Sequence, residues 1–96
     1  MQVSWKLAAR SFFDQLSKSQ QKSVEQAVER LASDWQPSRL QKVDGLFSED
    51  GQPLLKLKVG QDLRVLLYRR AQTIVVVDVL RHSQIERLRS ASGFGA

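Results

Sequence analysis

Lys56 and Lys58 precede a short Gly60-Gln61-Asp62 turn, Arg64 follows it, and the only histidine, His82, stands beside Arg81 after a later apolar run. Period-two geometry puts Lys56 and Lys58 on one face of a strand and Leu55, Leu57 and Val59 on the other. The simplest account is that the lysines are the wetted face of a half-buried strand, as most charged strand positions are. Cations grouped with one imidazole also suit a specific chemistry, the metal-free cleavage of a phosphodiester by the RNA 2′-hydroxyl. That reaction needs a base for the 2′-proton, cations on the pentavalent phosphorane, and an acid for the 5′-oxygen. Lysines crowded by other cations lose their protons more readily. An imidazole, with a reference pKa of about 6.5, can act as base or acid.

Other chemistries lack their residues. There are no cysteines, which excludes disulfides, thiolate metal sites and a cysteine nucleophile. Gly93 and Gly95 lie in the tail with no strand before them, so no phosphate-binding glycine loop is present. His82 and Glu86 at helical spacing are two ligands, too few for a metal site. No serine has the elbow context of a hydrolase nucleophile. Neither metal nor cofactor is expected.

The charge distribution favours a polyanion or an acidic partner. The 96 residues carry a net charge of +5. Residues 1–52 are balanced, with seven basic and seven acidic side chains, while residues 53–96 carry eight basic against three acidic. A basic half on a small fold is an electrostatic footprint, although solubility alone could also account for it. No apolar run approaches the ~18 residues of a membrane span. The first residues lack the charged-then-apolar order of a signal peptide. A soluble cytoplasmic protein of one domain, residues 1–96, is expected, with a flexible tail over about 90–96.

The elements that must position these residues follow from pattern. Val3–Leu7 alternates and reads as a strand. Ala8–Leu16 reads as a helix with Phe12, Phe13 and Leu16 on its apolar stripe. Ser17 and Gln20 have capping-box spacing. A second helix over about 20–32 carries Val24, Ala27, Val28 and Leu31 on one face. Pro37 ends the helical region, and Trp35 reads as a core plug. Residues 38–53 read as an irregular stretch, broken by Gly45, Gly51 and Pro53, with Glu49 and Asp50 at its tip. Three strands follow, over about 54–59, 63–70 and 73–80, joined by short turns into an antiparallel meander. Ser83 to Arg89 reads as a short helix capped by Ser83. The result is an α+β fold: an N-terminal strand, a helical hairpin, a three-stranded meander in a twisted sheet, and a short C-terminal helix.

This layout, from Val3 to Leu88, resembles the RelE/ParE toxin superfamily of bacterial toxin–antitoxin systems. The resemblance rests on three segments in order: FFDQLSKSQQKSVEQAVERLASDWQP, LQKVDGLFSEDGQPLLKLKVGQDLRVLLY and DVLRHSQIERL. It implies a RelE-like microbial RNase-type fold. For the RelE branch it implies a ribosome-dependent mRNA endoribonuclease that inhibits translation. Lys56 and Lys58 match the family's strand lysines, and Arg64 matches the arginine that holds the scissile phosphate. Arg81 and His82 both fall at the basic position after the last strand, and a one-residue shift exchanges them. The implied catalytic set is Lys56, Lys58, Arg64, Arg81 and His82; the implied RNA-binding set is Lys56, Lys58, Arg64, Arg81 and Arg87. The family's terminal tyrosine is missing, which raises His82 as its substitute; Tyr68 lies in the third strand of the chain, the second of the meander. The implied partners are a cognate antitoxin, the ribosome and mRNA, with direct DNA binding left to the antitoxin. Two alternatives accompany this reading: a ParE-like DNA gyrase poison, which the lysine pair disfavours, and an inactive basic module that only binds an antitoxin.

Overall fold

The computed structural model describes residues 1–91, with side chains through Arg87. The first strand, β1, spans Gln2–Trp5. Two helices follow, α1 over Leu7–Gln15 and α2 over Lys18–Ser33. Their joint is the expected capping box. The Ser17 hydroxyl accepts the Gln20 N–H at 3.2 Å, and the Gln20 side chain accepts the Ser17 N–H at 3.3 Å. Donors that a helix start leaves unpaired are thereby satisfied. Gln21 Nε2 donates to the Phe13 carbonyl at 3.0 Å and ties the second helix to the end of the first.

A 3₁₀ turn over Pro37–Arg39 leads into four strands: β2 (Leu40–Phe47), β3 (Pro53–Val59), β4 (Leu63–Arg70) and β5 (Thr73–Arg81). β2 corrects the expectation of an irregular stretch over 38–53. Gly45 interrupts the alternation without ending the strand. It sits at φ +78°, a conformation few other residues adopt, and the pairing of β2 with β3 shifts register between Lys42 and Phe47. The glycine makes a bulge, and the meander has four strands. Trp35 is half-buried against the core with the Arg69 guanidinium over its ring, as a plug should be.

The sheet order is β1-β5-β4-β3-β2, with β1 parallel to β5 and every other pair antiparallel. The helices therefore connect the two edges of the sheet, and the meander returns across it. Ala9, Phe13, Leu16, Val24, Val28 and Leu31 pack on one face, against Leu57, Val65, Leu67, Ile74, Val76 and Val79. Val43, Leu54, Leu66, Tyr68, Val75 and Leu80 cluster on the opposite face with Ile85. Ile85 comes from α3, which spans His82–Ala91. β4 has apolar clusters on both sides and is the sheet's middle strand. None of the helices among the described residues is long and apolar enough to cross a membrane.

α3 begins one residue earlier than expected, so Ser83 lies inside its first turn. Instead of a serine cap, the Gln84 side chain accepts the Arg81 N–H at 2.8 Å, and the Asp62 carbonyl accepts the His82 N–H at 2.7 Å. Of the expected tail, Ser90 and Ala91 belong to the helix, and residues 92–96 lie outside the described residues.

A second bulge lies in β5. Leu66 pairs with Asp78 but Leu67 pairs with Val76, so Val77 is an extra residue in that strand. An inserted residue reverses the in–out phase of everything after it. Ile74 and Val76 face the helices before the bulge, and Val79 does so after it. Asp78 and Leu80 are thereby turned to the opposite face.

Asp78 is half-buried there, and its Oδ1 accepts the Val79 N–H at 2.9 Å. Burial raises its pKa above the ordinary 3.8, and that hydrogen bond opposes the rise. A raised carboxyl pKa favours folding fully below the unfolded value, and the advantage is lost as the pH rises through the folded value. Asp78→Asn keeps an acceptor for Val79 and removes the charge. It should raise the urea midpoint at pH 7 and leave it nearly unchanged at pH 3; a lower midpoint at pH 7 would contradict this account.

Candidate functional site

Cross-strand pairing sets the site. Lys58 stands opposite Arg64, and Arg64 opposite Leu80; Gln41, Lys56, Leu66 and Asp78 form the neighbouring row. Directly opposed residues share a face. Lys56, Lys58 and Arg64 therefore lie together on the face away from α1 and α2. The Gly60 turn, with φ +63°, makes the short connection that lets β4 lie back against β3.

A cleft of about 360 Å³ opens over these residues, lined by Ser38, Arg39, Gln41, Lys56, Lys58, Arg64 and His82. Four elements build it: the 3₁₀ turn, β2, the β3–β4 pair and the first residue of α3. Four sequence-predicted residues line it: Lys56, Lys58, Arg64 and His82. Ser38, Arg39 and Gln41 were not anticipated. They belong to the stretch that reads as irregular, and only β2's pairing with β3 brings them to the lysines. The lining holds four cations, one imidazole and no carboxylate.

Arg64 is the most unusual of them. It is only 7% exposed, the one buried charged residue among those described. Its Nη1 donates to the Leu63 carbonyl at 2.8 Å. No carboxylate of the described residues stands within ion-pair distance of it, whereas Arg70 pairs with Asp50 and Arg81 with Asp62. Other arginines are engaged: Arg10 lies over the Trp5 and Phe13 rings, and Arg69 bonds the Ala71 carbonyl and covers Trp35. A guanidinium has five donors. Burying one with a single neutral acceptor among the described residues leaves donors and charge for whatever enters the cleft.

Two predicted residues fall elsewhere. Arg81 pairs across the ladder with Leu63, part of the helix-side core, and its guanidinium bonds the Asp62 carboxylate at 2.5 Å. It is not part of the cleft lining. Arg87 is exposed on α3, also outside that lining. The β5 bulge decides between Arg81 and His82. A straight strand would continue the phase of Ile74 and Val76 and send Arg81 to the cleft face. The inserted Val77 sends Arg81 to the other face and leaves His82 at the cleft.

No protein-family model matches the chain, and no curated protein matches it in sequence. Solved structures do match it in fold. A chain of the RelB–RelE antitoxin–toxin complex from Methanococcus jannaschii superposes with a TM-score of 0.65 at 12% identity, covering 88% of this chain and 96% of that one. The YoeB/ParE toxin from Agrobacterium tumefaciens gives 0.56 at 10% identity, over 85% and 99% of the two chains. A copper-bound mutant toxin from Helicobacter pylori gives 0.55 at 12% identity, over 88% and 97%. At such identities the likeness is one of fold. The chain has the fold of RelE- and ParE-like toxins, as the resemblance in its sequence implies.

An unpaired buried cation opposes folding, and apolar replacement of buried charge is commonly neutral or stabilising. Arg64→Met should hold or raise stability, by up to roughly 1–4 kcal/mol, in equilibrium urea unfolding. A loss of more than about 1 kcal/mol would show that Arg64 is a structural residue with partners of its own.

Proposed function

We propose that this chain is the toxin of a type II toxin–antitoxin pair and a ribosome-dependent mRNA endoribonuclease. The observation that carries the reading is Arg64, a buried guanidinium with no counter-ion among the described residues, at the floor of a cleft walled by Lys56, Lys58, Arg39 and His82. A phosphodiester supplies the anion this cleft lacks. Its fold-level likeness to RelE- and ParE-like toxins supports the toxin reading.

In this reading Arg64 holds the non-bridging oxygens of the scissile phosphate and strengthens its hold as charge builds on the phosphorane. Lys56 and Lys58 flank it as cations, and one of them accepts the 2′-proton. His82, at the opposite wall, protonates the departing 5′-oxygen. The 2′-oxygen–phosphorus bond forms as the phosphorus–5′-oxygen bond breaks, leaving a 2′,3′-cyclic phosphate and a 5′-hydroxyl. Arg39 and Gln41 contact the RNA strand beside the cut. The cleft is shallow and holds few groups that could orient a flexible RNA. The ribosome therefore supplies the alignment by presenting mRNA in a fixed path.

The same cleft attracts an acidic partner. The M. jannaschii neighbour is an antitoxin–toxin complex. An antitoxin with an acidic amphipathic segment would neutralise this chain by covering Lys56, Lys58 and Arg64. A second reading, a ParE-like gyrase poison, comes from the other branch of the family that the sequence resembles. It leaves the buried Arg64, which has no carboxylate partner among the described residues, without a role.

A cell-free translation reaction with a defined mRNA separates them. Primer extension should show new 5′ ends inside the translated region that require ribosomes. Arg64→Ala should lower the cleavage rate by about 10²–10³, as loss of an oxyanion-type donor does. His82→Ala should lower it by about 10²–10⁴, as loss of a general acid does. Intact mRNA, with inhibition of gyrase in a supercoiling assay, would move the chain to the second reading.

A further inference from the structure

Arg81 is basic, next to the cleft and yet turned from it, and the rest of its geometry gives it a different task. Asp62, the last residue of the β3–β4 turn, makes two bonds to the start of α3. Its carbonyl accepts the His82 N–H at 2.7 Å, and its carboxylate takes the Arg81 guanidinium at 2.5 Å. From the helix side, Gln84 accepts the Arg81 N–H at 2.8 Å. Both backbone donors at this junction are therefore fixed, one by the turn and one by the helix. His82 is the residue held between them, and its side chain reaches the cleft.

We infer that the Asp62–Arg81 pair is a clasp that fixes the β5–α3 junction to the β3–β4 turn and so sets where the His82 imidazole stands over Arg64 and Lys58. Arg81 is thus a positioning residue that acts through Asp62 on His82 and does not touch the RNA. The inference rests on the cleavage reading for its kinetic consequence, but the placement of the ring is testable without it. The geometry explains why the clasp sits here. β3 and β4 carry Lys56, Lys58 and Arg64, whereas His82 arrives on a different element. A proton donor must hold its distance to the phosphate within a few tenths of an ångström, and a misplacement of about 1 Å can cost 10²-fold. The two side chains of the pair are 43% and 55% exposed, so the clasp adds little to overall stability and its variants fold.

The test uses the intact chain with Asp62→Asn, Arg81→Ala, Arg81→Lys, the Asp62→Asn/Arg81→Ala double variant, and the reversed pair Asp62→Arg/Arg81→Asp. His82 is the only histidine. Its ring therefore gives a single imidazole signal in a ¹H–¹³C NMR spectrum, read with and without inorganic phosphate as the probe. Asp62→Asn and Arg81→Ala should each displace that signal and weaken its response to phosphate. Arg81→Lys and the reversed pair should return it toward the wild-type position. In the translation reaction, each single variant should lower kcat roughly ten- to a hundredfold with KM little changed. The double variant should be no worse than either single one, because both break the same contact. An unmoved His82 signal in every variant would overturn the clasp. So would an Arg81→Ala that raises KM beside a harmless Asp62→Asn, since Arg81 would then bind RNA itself. Should the wild type cut no RNA, the cleavage reading fails, and the His82 signal alone decides the clasp.

Discussion

The constraint on which this site depends is the phase of β5. A sheet has two faces, and a strand assigns its residues to them by counting. The bulge at Val77 resets the count three residues before Leu80. Val79 stays in the helix-side core, Leu80 joins the opposite cluster, and Arg81 falls behind the sheet. His82, as the next residue, meets the face that carries Lys56, Lys58 and Arg64. One inserted residue thus determines which of two adjacent basic side chains serves the cleft. Restoring the regular count would exchange them and would also move Val79 out of the core.

That face is held to a second, opposing demand. It must bury enough apolar surface to keep the sheet intact, and it must also carry cations. Val43, Leu54, Leu66, Tyr68, Val75 and Leu80 meet the first demand with Ile85 from α3. The cations of the cleft lie at the end of the sheet near the β3–β4 turn, where the 3₁₀ turn adds Arg39. Arg64 lies at the boundary, opposite Leu80 on one side and Lys58 on the other, which is why it is buried. Placing a guanidinium there without a carboxylate costs stability, and sites that act on phosphate commonly carry such a cost. Arg70 and Arg81, on the surface, do find carboxylate partners in Asp50 and Asp62.

Much of this was legible in the residues because it depends on local rules. The alternation in LKLKV put two lysines on one face, Ser17 with Gln20 spelled out a cap, and Gly60-Gln61-Asp62 marked a turn. Those signals need no knowledge of neighbouring strands. What escaped depends on pairing across the sheet. Gly45 reads as a breaker in isolation and becomes a bulge only when β3 lies beside it. Nothing in TIVVVDVLR announces that Val77 is the inserted residue, since every residue around it is as suited to a strand. The choice between Arg81 and His82 was therefore open, and Arg39 was invisible as a site residue. Periodicity and breakers supplied the order of elements except β2, the resemblance to RelE/ParE toxins implied the site residues, and the pairing register shows which of them share the cleft.

In the proposed reaction the cleft directs the RNA 2′-hydroxyl at the adjacent phosphate, with Arg64 on the phosphorane and His82 at the leaving oxygen. The most direct measurement places a single 2′-deoxynucleotide immediately 5′ of a mapped cut in the mRNA of the translation reaction, and determines the chemistry of the new ends. The account predicts that cleavage at that position disappears, and that unmodified message yields 5′-hydroxyl ends. Cleavage that persists across the deoxynucleotide, or 5′-phosphate ends, would contradict it, because the attacking oxygen would then come from elsewhere.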